Sequence, residues 1–418
     1  MQIEITAPNK LRGTVVLPSS KSISNRALVI NALAGNERLP ENVSDCDDTK
    51  VMLKWLATTP DIIDIGPAGT AMRFSSALLS VMEGTHVITG SERMKNRPIA
   101  ILVDALRKLG AEVEYVEKEG YPPLKITGNT ELEGGELSLP GNVSSQYISA
   151  LLMIGASLKK GLTLVLTDNI VSRPYIDLTL RLINEFGSDA RWVNDNTIRV
   201  EAQKYVVRDY FVESDWSGAS YWYEMVALSK DAEVVLPGLF KKSYQGDSKV
   251  AEIFEQLGVK TEYLGSADND MDREGVRLIK TDQVVELLNY DFVNQPDLAQ
   301  TFVVTCCMMG IPFHFKGLQS LKIKETDRIE ALKTELLKLG YVLQDKNDSE
   351  LMWNGEKVEP QADAAIDTYE DHRMAMAFAP CAITLGSIKI NNPQVVSKSY
   401  PDYWHDLEKV GFDYENYG

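Results

Sequence analysis

"IGPAGTAMRFSSALLSVMEGTHVITGSERMKNRPIAILVDALRKLGAEVEYV", residues 65–116, decides how this chain folds. It opens on a small polar cluster and enters an apolar stretch of helical length that stops at Gly84. A strand-like run, "HVITG", follows. "RPIAILVDALRKLG" then spaces its apolar residues three and four apart, which predicts an amphipathic helix. Its closing Leu-Gly is a helix C-terminal signal. "AEVEYV" alternates, which predicts a strand. The plan is polar cluster, apolar helix, strand, amphipathic helix, strand.

Five other stretches start on the same plan: residues 17–35, 139–161, 212–231, 294–310 and 368–386. Strand-like runs such as "LTLVLT", "AEVVLPG", "FHFKG" and "IKINN" come next, then amphipathic helices such as "RPYIDLTLRLINEFG" and "DRIEALKTELLKLG". A period of this kind marks a repeated supersecondary unit, and the chain reads as six βαβα-like units. The first is abridged, with "DTKVMLKWLA" running straight into "DIIDIG". The sixth runs out of chain soon after "DLEKVGF", while residues 1–17 hold two strand-like runs, "MQIEIT" and "GTVVL", with no unit of their own. The N-terminus is therefore expected to complete the last unit. That gives an α/β (α+β) fold of two domains with three units each: 19–213, and a discontinuous 1–18 plus 214–418.

Composition narrows the function classes. The 418 residues are 44% hydrophobic and 25% charged, ordinary for a soluble globular chain. A net charge of −17 speaks against nucleic acid as a partner. No apolar run approaches the ~20 residues that span a bilayer, so no membrane partner and a cytoplasmic location are expected. Cys46, Cys306, Cys307 and Cys381 lack metal-ligand spacing and read as buried thiols. Four histidines, none spaced as ligands, point to no metal site.

The cations carry the functional signal. Lys21, Arg26, Arg73, Arg97, Lys324, Arg328, Arg373 and Lys398 all fall at or within a turn or two of expected helix starts. Helix N-termini attract anions and disfavour Lys and Arg. Ser20, Ser22 and Ser144 have an ordinary explanation as helix caps; the eight cations do not. In an acidic chain they argue for a bound polyanion.

The segments "SKSISNRAL", "AGTAMR", "RMKNRPI", "SSQYISALLM", "SRPYID", "KETDRIEAL", "EDHRMAMAF" and "SKSYPDYW" occur in an order that resembles the enolpyruvyl transferases over nearly the whole chain. Within that family the match is to the branch acting on shikimate 3-phosphate. The resemblance implies the enolpyruvyl transferase fold, two domains of three repeated βαβαββ units around a cleft. It implies transfer of the enolpyruvyl group of phosphoenolpyruvate to the 5-hydroxyl of shikimate 3-phosphate, with release of phosphate through a tetrahedral intermediate. The product leads through chorismate to the aromatic amino acids. No cofactor is implied, the partners are these two small molecules, and a monomer is expected.

Carried over residue by residue, shikimate 3-phosphate falls mainly to the first domain: Lys21, Ser22, Arg26, Ser144, Ser145, Gln146, Ser172 and Tyr175, joined by Asp297, Ser320 and Lys324. Phosphoenolpyruvate falls to Lys21, Gly69, Thr70, Arg97, Gln146, Arg328, Arg373 and Lys398. Asp297 is the implied base for the 5-hydroxyl, Glu325 the candidate proton carrier at the methylene carbon, and Lys21 an electrostatic support. Asp215 and His372 are expected to position neighbours. The herbicide glyphosate, a family inhibitor, would occupy the phosphoenolpyruvate site beside Gly69. Pro67, Phe74, Ser19 and Ser320 depart from the family pattern, which bears on affinity more than on chemistry. Two other readings stand beside this one. A transferase acting on UDP-N-acetylglucosamine would carry a cysteine in "GSERMKNRP", which has none. A non-catalytic anion-binding protein of the same fold would show gaps among the charged residues, and none is seen.

Overall fold

The computed structural model describes residues 1–265 and 274–417. They form two compact units, one of residues 1–18 with 213–418 and one of residues 19–212. The chain begins in the first with strands β1 (Gln2–Thr6) and β2 (Leu11–Thr14), then leaves it for the whole of the second.

The 19–212 unit starts with α1 (Lys21–Leu33) and α2 (Asp47–Thr58). Next come β3 (Ile62–Asp64), α3 (Gly69–Ser80), β4 (Thr85–Thr89), the one-turn α4 (Glu92–Lys95), α5 (Ala100–Lys108), β5 (Glu112–Tyr115) and β6 (Leu124–Thr127). β3 and β4 are parallel across α3, and the sheet order is β3-β4-β6-β5. The plan recurs in β7 (Gly135–Pro140), α6 (Ser145–Gly155), β8 (Leu162–Thr167), α7 (Arg173–Glu185), β9 (Ala190–Asn194) and β10 (Thr197–Val200), ordered β7-β8-β10-β9. The first repeat is abridged. Among the described residues it has no four-stranded sheet, and a parallel bridge joins Glu41 to Phe211.

In the other unit, α8 (Trp216–Leu228), β11 (Ala232–Pro237), α9 (Val250–Glu255), β12 (Leu257–Leu264) and β13 (Gly275–Val284) make the fourth repeat. The fifth is β14 (Leu288–Asp291), α10 (Ala299–Met309), β15 (Phe313–Lys316), α11 (Arg328–Lys338), β16 (Gln344–Lys346) and β17 (Glu350–Trp353), ordered β14-β15-β17-β16. The sixth is β18 (Ala365–Ile366), α12 (His372–Phe378), the short α13 (Ala382–Leu385), β19 (Ser387–Asn391), α14 (Tyr403–Lys409) and β20 (Asp413–Tyr417).

β1 completes the sixth repeat, lying antiparallel between β19 and β20. The second N-terminal strand does not join it. β2 instead pairs in parallel with β11, giving the order β12-β13-β11-β2. The reason is visible at α8, which the chain enters from "VES" with no strand of its own. Without β2 the edge of β11 would be left open.

In the second, third, fifth and sixth repeats the first helix is the crossover between parallel strands, and the first helices together form the core of each unit. α1, α3 and α6 pack together in one, α8, α10 and α12 in the other. A helix apolar on all sides is a buried helix: every residue of α3 is buried, and so is α10 from Ala299 to Met308. The second helices bury one face. α5, for example, buries Leu102, Val103, Ala105 and Leu106. All four cysteines are buried and free. No helix among the described residues is long and apolar enough to cross a membrane.

Candidate active site

Within residues 19–212 the candidate residues collect at the starts of α1, α3, α6 and α7. Ser20 caps α1, its hydroxyl accepting from Ile23 N at 3.4 Å. Lys21, beside it, points its ammonium to Asp48 on α2, 3.5 Å away. Arg26 is buried and ties three helices together. It donates to Ser22 O (2.8 Å), to Ser149 Oγ on α6 (3.0 Å) and to Thr179 Oγ1 on α7 (2.7 Å). Its guanidinium lies over the Phe74 ring at 5.2 Å, so Phe74 packs directly against a candidate residue. Burial lowers the Arg26 pKa to about 10, with Tyr175 pulling the other way.

α3 starts without a side-chain cap because Ala68 offers no oxygen. Thr70 in its first turn accepts from Gln146 Nε2 of α6 at 3.1 Å. Gly69 lies outside the left-handed region, so no turn requires glycine there. Space does. A Cβ at this position would stand 2.7 Å from Nη1 of both Arg73 and Arg97. Ser144 caps α6, accepting from Gln146 N at 3.4 Å, and Ser145 and Gln146 are half-buried beside it. Ser172 precedes α7 in left-handed backbone, φ 55°, with Tyr175 N bonded to its carbonyl. A non-glycine residue held there is a local strain of the kind that gathers at binding sites.

Within the other unit the candidates form one charged network at the starts of α10, α11 and α12, joined by Lys398 from the end of the 3-10 turn Pro393–Lys398. Arg328, 1% exposed, donates to Asp371 through Nε (2.7 Å) and Nη2 (3.3 Å), to Asp297 through Nη1 (3.2 Å) and to Glu325 through Nη2 (2.9 Å). Arg373 donates to Asp297 Oδ2 at 3.0 Å and to Tyr221 Oη of α8 at 3.3 Å. Lys324 lies 3.5 Å from Asp297, and Lys398 lies 3.1 Å from Glu325. Burial opposes ionisation of Asp297. Arg373, Lys324 and Arg328 outweigh it and hold the carboxyl well below the usual range, against a smaller push from Glu325. Burial likewise opposes the charge of Arg328, yet Asp371, Glu325 and Asp297 raise its pKa further. Tyr221 is pushed up to about 12 by burial, with Arg373 acting against it.

Four cations thus meet three carboxylates, which explains how Lys and Arg are tolerated at helix starts. Sequence reasoning placed the cations and missed two of their partners. Asp371 caps α12, accepting from Arg373 N at 2.9 Å, and its position two residues before that arginine was a readable cap signal. Asp48 had no such signal. Asp215 does position a neighbour, accepting from Ser217 N at 2.8 Å. Ser320 sits half-buried in the 3-10 turn Gln319–Ile323. Among the described residues no group of three or more His, Cys, Asp and Glu side chains is arranged to hold a metal ion.

Both units repeat one βαβαββ plan, with cations near the helix starts. The family model for EPSP synthase (3-phosphoshikimate 1-carboxyvinyltransferase) matches residues 5–59 and 56–407. A 3-phosphoshikimate 1-carboxyvinyltransferase of Bacteroides fragilis is 60% identical over 412 residues, 99% of this chain and 98% of that protein. One from Shewanella pealeana is 36% identical, covering 98% and 99%. The solved EPSP synthase of Acinetobacter baumannii shares the fold, with a TM-score of 0.79 at 21% identity over 99% of this chain and 100% of that one. The chain belongs to the EPSP synthase (3-phosphoshikimate 1-carboxyvinyltransferase) family.

Proposed function

We propose that this protein transfers the enolpyruvyl group of phosphoenolpyruvate to the 5-hydroxyl of shikimate 3-phosphate, releasing inorganic phosphate. The observation that carries the reading is near-full-length similarity to relatives named for this activity, supported by the gathering of Arg328 and Arg373 around Asp297 and Asp371. Family membership favours it over the UDP-N-acetylglucosamine reaction and over a non-catalytic role.

In this reading phosphoenolpyruvate takes Lys21, Gly69, Thr70, Arg97, Gln146, Arg328, Arg373 and Lys398. Guanidinium forks suit its carboxylate and phosphate. Shikimate 3-phosphate takes the serines 22, 144, 145 and 172 with Arg26, Gln146 and Tyr175, and also Lys21, Ser320, Lys324 and Asp297. Asp297 accepts the 5-hydroxyl proton as that oxygen bonds the central carbon of phosphoenolpyruvate. The methylene carbon gains a proton in the same step. Loss of a proton from that carbon then re-forms the double bond as the C–O bond to phosphate breaks. Glu325 is assigned this exchange, with the Lys398 ammonium 3.1 Å away as the adjoining proton source.

An aspartate held so acidic is a weak base until its cations are engaged elsewhere. Anionic substrates that draw on Arg328, Arg373 and Lys324 would raise its basicity, linking binding to proton removal. Phosphorus NMR of the reacting mixture tests the proposal. The phosphoenolpyruvate signal should be replaced by inorganic phosphate while the phosphorus on the shikimate ring is retained. Release of the ring phosphate, or no change with both substrates present, would contradict it.

A further inference from the structure

α11 grips the chain leading into α12 at two levels. At its first residue Arg328 holds Asp371. Two turns on, Glu335, a carboxylate with no exposed surface, accepts from Asp367 N at 3.0 Å and from Tyr369 Oη at 2.5 Å. Lys338 lies 2.7 Å from the same carboxylate and donates to Ala365 O (3.1 Å) and Asp367 Oδ2 (2.8 Å). The backbone held this way is strained. Tyr369 and Glu370 are successive left-handed residues, φ 53° and 56°, and neither is glycine or asparagine. Asp371 N closes the turn on Thr368 O at 2.8 Å. Asp371 then caps α12 at Arg373.

We propose that Glu335 is a positioning residue for the anion-binding arginines, holding the strained 367–371 turn in the conformation that presents Asp371 to Arg328 and caps α12 at the Arg373 amide. The proposal rests on the assignment of those arginines to phosphoenolpyruvate. A purely structural Glu335 would cost stability alone. A positioning Glu335 acts on phosphoenolpyruvate more than on shikimate 3-phosphate, because the turn feeds Arg328 and Arg373, both assigned to the former, and reaches the latter through Asp297, which both arginines hold.

The test compares wild type, Tyr369→Phe, Glu335→Gln, and each variant combined with Glu370→Gly. Tyr369→Phe removes one hydroxyl from a partly exposed ring and should leave the fold intact. The KM for phosphoenolpyruvate should rise about fivefold, the size of one net hydrogen bond, with a smaller rise in the KM for shikimate 3-phosphate. Glu370→Gly removes the left-handed penalty and should restore most of the loss. Hydrogen exchange at the amides of residues 371–373 is followed in the same proteins and reads the turn whatever the reaction proves to be. It should speed up in Tyr369→Phe and slow again with Glu370→Gly. A wild type that fails to turn over removes the functional assignment. Unchanged exchange in Tyr369→Phe, an equal rise in both KM values, or a loss that Glu370→Gly leaves in place overturns the role of Glu335.

Discussion

Glu325 carries the sharpest prediction at the residue scale. Glu325→Gln keeps size and an acceptor for Arg328 but cannot pass a proton, so kcat should fall by roughly 10²–10⁴ in steady-state assays; normal turnover would move the role to another group. Gly69→Ala acts differently. A methyl 2.7 Å from the Arg73 and Arg97 guanidinium groups must displace them, and Gly69 already has a backbone that alanine accepts. The KM for phosphoenolpyruvate should rise by roughly fivefold or more, while the melting temperature holds. Loss of stability without a change in KM would leave the glycine a packing role. Glu213 supplies a pH test. Burial raises its pKa from 4.5 to about 7, against hydrogen bonds led by Ser243. A carboxyl with a raised folded pKa stabilises below its unfolded pKa, and that contribution is lost as pH rises through the folded value. Glu213→Gln should therefore gain on wild type between pH 4.5 and about 7, by up to about 3 kcal/mol, and hold level above. A melting-temperature difference that ignores pH would count against the buried neutral acid.

At the scale of elements, α11 and α12 are joined through a buried ion pair. Asp371→Ala would leave Arg328 in the interior without its two-point partner, and breaking such pairs costs about 3–5 kcal/mol. Urea denaturation should show that loss, and a change below about 1 kcal/mol would mean that Asp297 and Glu325 suffice. The helices themselves were legible in the sequence from their apolar pattern, and Ser20 and Ser144 stand where capping logic puts them, although α3 starts on the uncapped Ala68. Strands with an apolar run, such as β4, β8, β11, β15 and β19, were legible as strands, whereas the short polar β16 was not. What local pattern could not give was pairing across long separations. β2 joins β11 more than two hundred residues away, and "GTVVL", of which only Gly13 and Thr14 lie in β2, gives no hint of which sheet it enters. The same holds for charge. The cations were readable from their places at helix starts, whereas Asp48 and Glu335 matter only through what the fold brings against them.

The whole molecule is one compact unit inserted into another, since the chain leaves after β2 and returns at α8. Residues 19–212 are continuous and bury their own helices, so that segment expressed alone should fold cooperatively by circular dichroism and denaturant titration. Residues 213–418 alone should not, because β19 and β20 would lose β1 between them and β11 would lose β2. Cooperative folding of 213–418 without the first eighteen residues would contradict this division. The function is a property of the intact chain, and the most direct test is phosphate release from phosphoenolpyruvate by purified full-length protein, with shikimate 3-phosphate or UDP-N-acetylglucosamine as acceptor. Release that requires shikimate 3-phosphate, and is absent with the nucleotide sugar, is the predicted result. Release with the nucleotide sugar, or none with either acceptor, would contradict it.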